Sequence, residues 1–345
     1  MSAHVPAIEA SPRFRLAAVT NSDPAAAKAA ALKFGIPQVF QRPEGLLASP
    51  DVDLVVVAVR VPRHFELVRA AIQAGKSIYC EWPLANGLEE ALELERLASK
   101  HGTYLAVGLQ SRGSPEMTYV RELLSQGYIG EVLSISLLGT GIIGGATIPE
   151  SFSYTLDPQN GAGMLNVAFA HGLDSVCYVL ASRMRDVSAT LQIRQPRVKV
   201  LESGGFIEKH TPDDVAINGR MQSGVVVSAH YRGGQSRVSN FRLEIYGSGG
   251  ELVITSSMGY PGVGDTQVQG GLDEGGAWGA LPVPSPKTDG LGKDMARNVT
   301  AIYSRIADDL ERGTHTAPGL ADAVALHRLI QAIQDAASSG RRQDW

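Results

Sequence analysis

The sequence has 345 residues, enough for two domains that each bury a core. Apolar residues make up 44% and charged residues 19%, and the formal net charge is −4, an ordinary balance for a globular protein. This charge gives no electrostatic reason to expect nucleic acid or an anionic membrane as a partner. Both cysteines, Cys80 and Cys177, lie in apolar segments, and no apolar run approaches about 18 residues. We therefore expect a cytoplasmic protein with buried free thiols.

The first third of the chain alternates short apolar runs with helical patterns. The uninterrupted apolar run at residues 53–59 is typical of a parallel strand covered on both faces. Gly35 and Gly75 are predicted helix ends. The predicted strands are residues 14–20, 53–59, 78–80 and 104–109, and the predicted helices are residues 1–10, 24–34, 64–74 and 88–100, with one helical turn at 44–47. This order predicts a Rossmann-type doubly wound parallel sheet in residues 1–127.

The carboxyl edge of that sheet is the predicted ligand site. Strands 78–80 and 104–109, joined by a helix, place Glu81-Trp82 and the segment from Gln110 to Arg112 at one edge. Open α/β sheets bind their ligands there.

Nucleotide-binding domains of this type begin with a strand and a Gly-rich turn whose amides face a pyrophosphate. Here a helical pattern starts at His4, and neither the strand nor the turn precedes it. Either the start has been placed too late, or the chain is a natural truncation. We favour the late start, because the missing strand would be central in the sheet. The sequence upstream should then contain a strand that ends in a Gly- or Ser-rich turn.

From residue 128 onward the pattern predicts a second α/β domain, residues 128–345, with an open and mostly antiparallel sheet. One face of such a sheet is commonly left for a partner subunit. Residues 258–287, rich in Gly and Pro, are predicted to be a long surface excursion. The predicted strands are residues 132–138, 187–194, 198–202, 214–221, 224–231, 241–247 and 250–255, and the predicted helices are residues 161–180, 295–311 and 320–337. A predicted helix at residues 116–126 precedes this domain.

Two glycine-rich segments of this second domain resemble functional motifs. Residues 139–144 match G-x-G-x-x-G, but no βαβ unit surrounds them, so we interpret them as a flexible wall of a substrate site. Residues 247–250 are interpreted as a hairpin turn. The eight histidines show no metal-ligand spacing, and we predict no metal.

Four motifs in order resemble the glucose–fructose oxidoreductase / inositol dehydrogenase (Gfo/Idh/MocA) family. They are Glu-Trp-Pro-Leu-Ala at 81–85, Gly-Leu-Gln-Ser-Arg at 108–112, the segment from Glu122 to Val132, and Ala-His-Gly-Leu-Asp at 170–174. The sequence is most similar to the subgroup that includes the fungal galactose-regulon repressor, which binds a dinucleotide and regulates. The resemblance implies a Rossmann domain, a second α/β domain, and assembly as a homodimer or tetramer. It also implies hydride transfer between NAD or NADP and a sugar-like substrate.

The sequence departs from the family at two of three catalytic positions. Family members typically have Glu-Lys-Pro where this chain has Glu81-Trp82-Pro83, so Trp82 occupies the lysine position. They typically also have an aspartate four residues before the histidine, where this chain has Val167 before His171. The resemblance makes His171 the candidate proton donor or acceptor, since imidazole titrates near neutral pH. The alternative is a structural helix histidine bonded to Asp174 or to the backbone. Trp82 either lines the site or packs under the turn, and Glu81 either lies near the nicotinamide or is a solvated charge.

The remaining candidate cofactor contacts lie at other strand ends. Asn21 and Ser22 follow a strand where NAD-preferring sites usually place an acidic residue, so they are compatible with NADP and do not exclude NAD. The other candidates at the carboxyl edge are Ala58, Val59, Arg60, His64 and Gln110. We first expect an NAD(P)-dependent oxidoreductase acting on a small hydroxyl or carbonyl compound. The alternatives are a dinucleotide-binding regulator without catalysis, and a chain that binds no cofactor.

Overall fold

The computed structural model describes residues 3–273, 276–284 and 295–344. These residues form two compact units. The first contains the residues up to Leu109 together with Val299–Ala325, and the second contains Gln110–Asn298 together with the residues from Leu326 onward. The predicted domain boundary at residue 127 stays a prediction.

The first unit is an alternation of helices and parallel strands. Two strands pair in the order β1-β2 and three in the order β3-β4-β5, and all of these pairs are parallel. This confirms the Rossmann-type α/β class. The elements are α1 (His4–Glu9), β1 (Ala18–Thr20), α2 (Pro24–Phe34), β2 (Gln38–Phe40), α3 (Pro43–Ala48), β3 (Leu54–Val57), α4 (His64–Gln73), β4 (Ser77–Glu81), α5 (Leu88–His101) and β5 (Leu105–Gly108).

Helix α2 shows why local signals predict this unit well. The Asp23 side chain accepts a hydrogen bond from the backbone N–H of Ala25, and Pro24 occupies the first turn, where no amide hydrogen is needed. Gly35 ends the helix at a φ of +61°, a left-handed conformation that glycine adopts without strain. Both ends of α2 lie where the sequence predicts them. Strand β2, in contrast, was not predicted.

The second unit contains the remaining strands and the helices that cover them. Its elements, in chain order, are α6 (Pro115–Ser125), β6 (Val132–Gly141), β7 (Thr147–Ile148), α7 (Ala170–Val179), β8 (Met184–Gln192), β9 (Arg197–Val200), β10 (Phe206–Glu208), β11 (Asp214–Met221), β12 (Val226–Gly233), β13 (Phe241–Gly247), β14 (Gly250–Ser256), β15 (Thr266–Leu272) and β16 (Gly279–Ala280). Helices α8 (Met295–Arg312) and α9 (Leu320–Ser339) contribute residues to both units, and β17 (Gln343–Asp344) follows them.

Nine of the described strands form one sheet in the order β16-β15-β14-β13-β6-β12-β11-β8-β17. Its pairs are antiparallel except β12 with β6, which confirms the predicted mostly antiparallel sheet. Val215 lies opposite Tyr231, and on the same face Ile217 lies opposite Ala229. All four side chains are buried. Alternate residues such as Asn218 and Ser228 are exposed, as expected of a sheet with one covered face.

The predicted excursion at residues 258–287 is wrong in part, because β15 and β16 lie within it and extend the large sheet. Residues 274–275 and 285–287 of that prediction lie outside the described residues.

Residues 139–144 were predicted to form a flexible wall of a substrate site, but Gly139–Gly141 are the last residues of strand β6. An added Cβ on Gly139 would lie 2.1 Å from the Tyr231 ring, and one on Gly141 would lie 2.3 Å from the Met164 side chain. These glycines therefore permit close packing.

Among the described residues, we found no helix with the length and apolar character that crossing a membrane requires.

Candidate active site

Glu81 ends strand β4, at the edge where the sequence places a ligand. Its carboxylate lies 2.8 Å from Nε2 of His4, and an added Cβ on Gly108 of the neighbouring strand would lie 2.9 Å from it. Nδ1 of His4 lies 3.0 Å from the hydroxyl of Tyr303. Burial, and secondly the charge of Glu81, raises the pKa of Tyr303 and of Tyr79, so both phenols stay neutral. Glu81 is thus held within a polar and aromatic cluster and is not a solvated charge.

Trp82 follows directly and is 5% exposed, and its peptide bond to Pro83 is cis. His64 lies beneath this turn at 1% exposure. Its Nδ1 is 2.7 Å from the carbonyl oxygen of Pro83 and its Nε2 is 2.9 Å from that of Val59. Since carbonyl oxygens only accept hydrogen bonds, a ring N–H of His64 donates to this backbone, and the imidazole lies between two strand exits. His64 therefore positions the turns at the edge.

The other candidates of the first unit are exposed at strand ends. Ala58, Val59 and Arg60 follow β3, and Asn21 and Ser22 follow β1. The side-chain oxygen of Asn21 accepts a hydrogen bond from the backbone N–H of Asp23, so it also shapes the turn before α2. The structure thus places these residues after the carboxyl ends of two parallel strands, β1 and β3, which belong to separate sheets.

His171 lies in the second unit, in the first turn of α7, and is 2% exposed. The predicted helix at residues 161–180 begins instead as a π-helical turn, Leu165–Phe169, and continues as α7. Single π-helical turns of this kind frequently occur at functional sites. Val167 lies in this turn, so the family's aspartate position is apolar here.

Asp174, one turn after His171, forms a two-pronged ion pair with Arg112. The guanidinium Nη2 and Nε of Arg112 lie 2.6 Å and 3.0 Å from the two carboxylate oxygens. This pair connects α7 to the turn Gln110–Gly113, in which Gln110 is 6% exposed. The contact gives Asp174 a structural role in the second unit.

Tyr260 is a site residue that the sequence did not reveal. Its ring stacks on the imidazole of His171, with centroids 4.4 Å apart and planes inclined by 17°. The prediction missed it because its Gly- and Pro-rich surroundings were interpreted as surface loop. The local signal that could have found it is the sequence Gly-Tyr-Pro-Gly at 259–262, in which one aromatic residue stands among glycines and a proline shortly after strand β14.

The structure brings Glu81, Trp82 and His64 together in the first unit, and places His171 with Tyr260 in the second. Among the described residues, no group of three or more His, Cys, Asp or Glu side chains could hold a metal ion. Burial raises the pKa of Cys80, which lies beside His64, so its thiol is protonated and unreactive at neutral pH.

Comparison with known families divides the chain in a similar way. Residues 1–109 match the oxidoreductase family with an NAD-binding Rossmann fold, and residues 115–256 match the C-terminal domain family of Gal80p. Dehydrogenase aclE of Aspergillus oryzae is 32% identical over 215 residues, which cover 61% of this chain and 58% of that protein. The galactose/lactose metabolism regulatory protein GAL80 of Saccharomyces cerevisiae is 28% identical over 276 residues, covering 74% and 63%. The chain thus spans about three fifths of these curated relatives.

Solved structures share the fold over nearly the whole chain. A super-repressor mutant of Gal80p from S. cerevisiae superposes with a TM-score of 0.90 at 24% identity, covering 99% of this chain and 93% of that one. Levoglucosan dehydrogenase in complex with NADH and levoglucosan gives a TM-score of 0.84 at 21% identity, covering 99% and 95%. With both family matches in chain order and three of the four motifs wholly inside them, the chain belongs to the NAD-binding oxidoreductase (Gfo/Idh/MocA) family, in the subgroup that shares the Gal80p C-terminal domain.

Proposed function

We propose that this chain is a cytoplasmic NAD(P)-dependent oxidoreductase that interconverts a hydroxyl and a carbonyl group on a sugar-like small molecule. The observation that carries the proposal is His171, a buried imidazole that stacks on an aromatic ring and closely follows a π-helical turn. The levoglucosan dehydrogenase structure supports this substrate class.

His171 would accept the hydroxyl proton during oxidation and return it during reduction. A nicotinamide, when bound, supplies or accepts the hydride, so the proton is the part of the reaction left to the protein. Trp82 and Val167 replace the lysine and aspartate that the family resemblance implies, and neither side chain can transfer a proton at neutral pH. Of these three positions only His171 has a side chain that can transfer a proton, and its loss should cost about 10²–10⁴ in rate.

The described residues fit two parts of a dinucleotide. Asn21 and Ser22 are exposed beyond β1, where they would contact the adenosine ribose, and Glu81 and Trp82 would lie near the nicotinamide. NAD is the cofactor that the family match supports, and neutral side chains at 21 and 22 leave NADP as a second candidate.

A fluorescence titration with NADH and NADPH would test cofactor binding first. A turnover screen with sugars and polyols would follow, on wild type, His171→Ala and the control His210→Ala, which removes an exposed histidine of the same unit. We expect dinucleotide binding in all three proteins and turnover that falls at least about 100-fold only in His171→Ala. Equal turnover in His171→Ala and wild type would reject His171 as the proton carrier.

The second candidate function is a dinucleotide-binding regulator. It is favoured by the match to the Gal80p C-terminal domain and by the apolar Val167 and Trp82. Tight dinucleotide binding without turnover across the screen would support it against the enzyme.

We also propose that residues 128–345 act as a substrate and oligomerisation domain, with self-association into a homodimer or tetramer through the nine-stranded sheet. Its face with alternating exposed residues supports this. Sedimentation velocity at several concentrations would test it, and a single monomer species throughout would contradict it.

A further inference from the structure

We propose that Tyr260 is a positioning residue for His171, and that a loop clamped by hydrogen bonds fixes the plane of the imidazole by holding the Tyr260 ring against it. The catalytic consequence rests on the function proposed above, whereas the positioning itself does not.

The stack covers one face of the imidazole. Ring centroids 4.4 Å apart and an interplanar angle of 17° describe a close parallel contact, in which each ring resists rotation of the other. Both ring nitrogens of a histidine lie in its plane, so a group that exchanges a proton with His171 must approach along the ring edge. The orientation of that plane therefore determines where the reacting hydroxyl has to lie.

The segment that carries Tyr260, residues 257–265, is held on both sides of the tyrosine, and we name it the clamped loop. Before Tyr260, the carbonyl oxygen of Gly259 accepts a hydrogen bond of 2.9 Å from the hydroxyl of Tyr231 on β12. After it, the carbonyl oxygen of Pro261 accepts one of 2.6 Å from Ser111, and that of Gly262 accepts one from the side-chain amide of Asn298.

Two further contacts close the loop on itself. Ser256 Oγ donates a hydrogen bond of 3.1 Å to the carbonyl oxygen of Val263. The backbone N–H of Ser257 donates one of 3.1 Å to the carbonyl oxygen of Asp265. Gly262 has a φ of +90°, and an added Cβ there would lie 3.1 Å from the backbone of Ser111. A loop anchored by three distant segments has few conformations left, so the Tyr260 ring is preorganised before any ligand binds.

Tyr231 also fixes the position of the clamped loop relative to α7, the helix that carries His171. An added Cβ on Gly172, the next residue of α7, would lie 2.1 Å from the Tyr231 hydroxyl. The same hydroxyl binds Gly259, the residue before Tyr260. The contacts thus form a closed ring from His171 through Gly172, Tyr231 and Gly259 to Tyr260, and back to His171 by stacking. The imidazole is thus held through the backbone of α7, which packs on Tyr231, and through its stacking on Tyr260.

The test uses the variants Tyr260→Leu and Tyr260→Phe of the full chain, labelled with 13C at histidine for NMR. The His171 ring signals are assigned by their loss in His171→Ala. In wild type and Tyr260→Phe we expect these signals shifted upfield by the ring current, and in Tyr260→Leu we expect them near the position of an unstacked histidine. Unchanged signals in a folded Tyr260→Leu would overturn the positioning role, whether or not the protein is an enzyme.

Turnover then gives a second readout. With a substrate from the screen, kcat should fall about 10- to 100-fold in Tyr260→Leu with KM changed less than about threefold, and Tyr260→Phe should stay within about twofold of wild type. A Tyr260→Phe enzyme that loses turnover while its upfield shift is intact would overturn the proposal in favour of a chemical role of the hydroxyl. Tyr231→Phe removes one anchor without touching His171, and we expect it to broaden or partly reverse the shift.

Discussion

Asp309 shows how a single buried residue can organise a chain segment. Its side chain is 1% exposed, and its carboxylate accepts hydrogen bonds from the backbone N–H groups of Thr316 and Ala317 and from the hydroxyls of Tyr104, Thr314 and Thr316. Burial opposes ionisation, but these donors outweigh it and lower the pKa of Asp309 to about 2. The ionised carboxylate therefore holds the turn after α8 in place.

Replacement of this residue should be costly. We expect Asp309→Asn to lower the free energy of unfolding at pH 7 by about 2 kcal/mol, because an amide cannot accept from so many donors. The folded pKa lies below the ordinary value of about 4, so this stabilisation is present above pH 4 and disappears as the pH falls through 2. Urea unfolding at pH 7 measures the loss. The neighbouring Asp308→Asn is the control, since its ion pair with Arg13 is partly exposed and should contribute less than about 1 kcal/mol.

At the scale of elements, helix α7 and strand β6 approach each other around the ring of Tyr231. Phe169 meets this ring edge-on at 5.1 Å, and Gly139 and Gly172 leave space for it from the two sides. Burial raises the pKa of Tyr231, so its hydroxyl remains a neutral donor to Gly259. Glycine is thus required here by close packing, not by backbone conformation.

This packing predicts an unusual cost for Gly172→Ala. Alanine favours a helix by about 1 kcal/mol over glycine, but the new methyl group would lie 2.1 Å from the Tyr231 hydroxyl. We expect a net destabilisation of about 1–3 kcal/mol, as for overpacked cores, together with loss of the upfield shift of His171. Gly279→Ala, where nothing lies within 4 Å, should stay within about 0.5 kcal/mol of wild type. Two equally stable variants in urea would show that the helix moves without cost.

At the scale of the whole molecule, the sequence predicts the helices and strands whose bounds depend on local signals and on the alternation of buried and exposed residues. Helix α2 and strand β13 were predicted with the bounds that the structure has, because caps, turns and alternation are local. Tyr260 was missed because its loop is held by Tyr231, Ser111 and Asn298, which lie 28, 150 and 36 residues away from their partners. The role of Glu81 likewise depends on His4 and Tyr303. The periodicity of apolar residues in the sequence gives no information on contacts between residues so far apart in the chain.

The two units should respond to acid in different pH ranges. Burial lowers the pKa of His327, in α9 and the second unit, to about 4. Below pH 6.5 the unfolded chain binds a proton at this histidine and the folded chain does not, so stability falls as the pH drops from 6.5 to 4, by about 3 kcal/mol. Asp309, in the first unit, loses its contribution only below pH 4.

Hydrogen exchange measured by mass spectrometry at pH 7, 5 and 4 would resolve this difference, after correction for the intrinsic exchange rates. We expect protection to fall first in the large sheet of the second unit, and the fall to be smaller in His327→Gln, which cannot take up the proton. His230→Gln, an exposed histidine paired with Asp214, should behave as wild type. Loss of protection in the first unit before the second would contradict the assignment of the upper pH range to His327, since Asp309 titrates well below it.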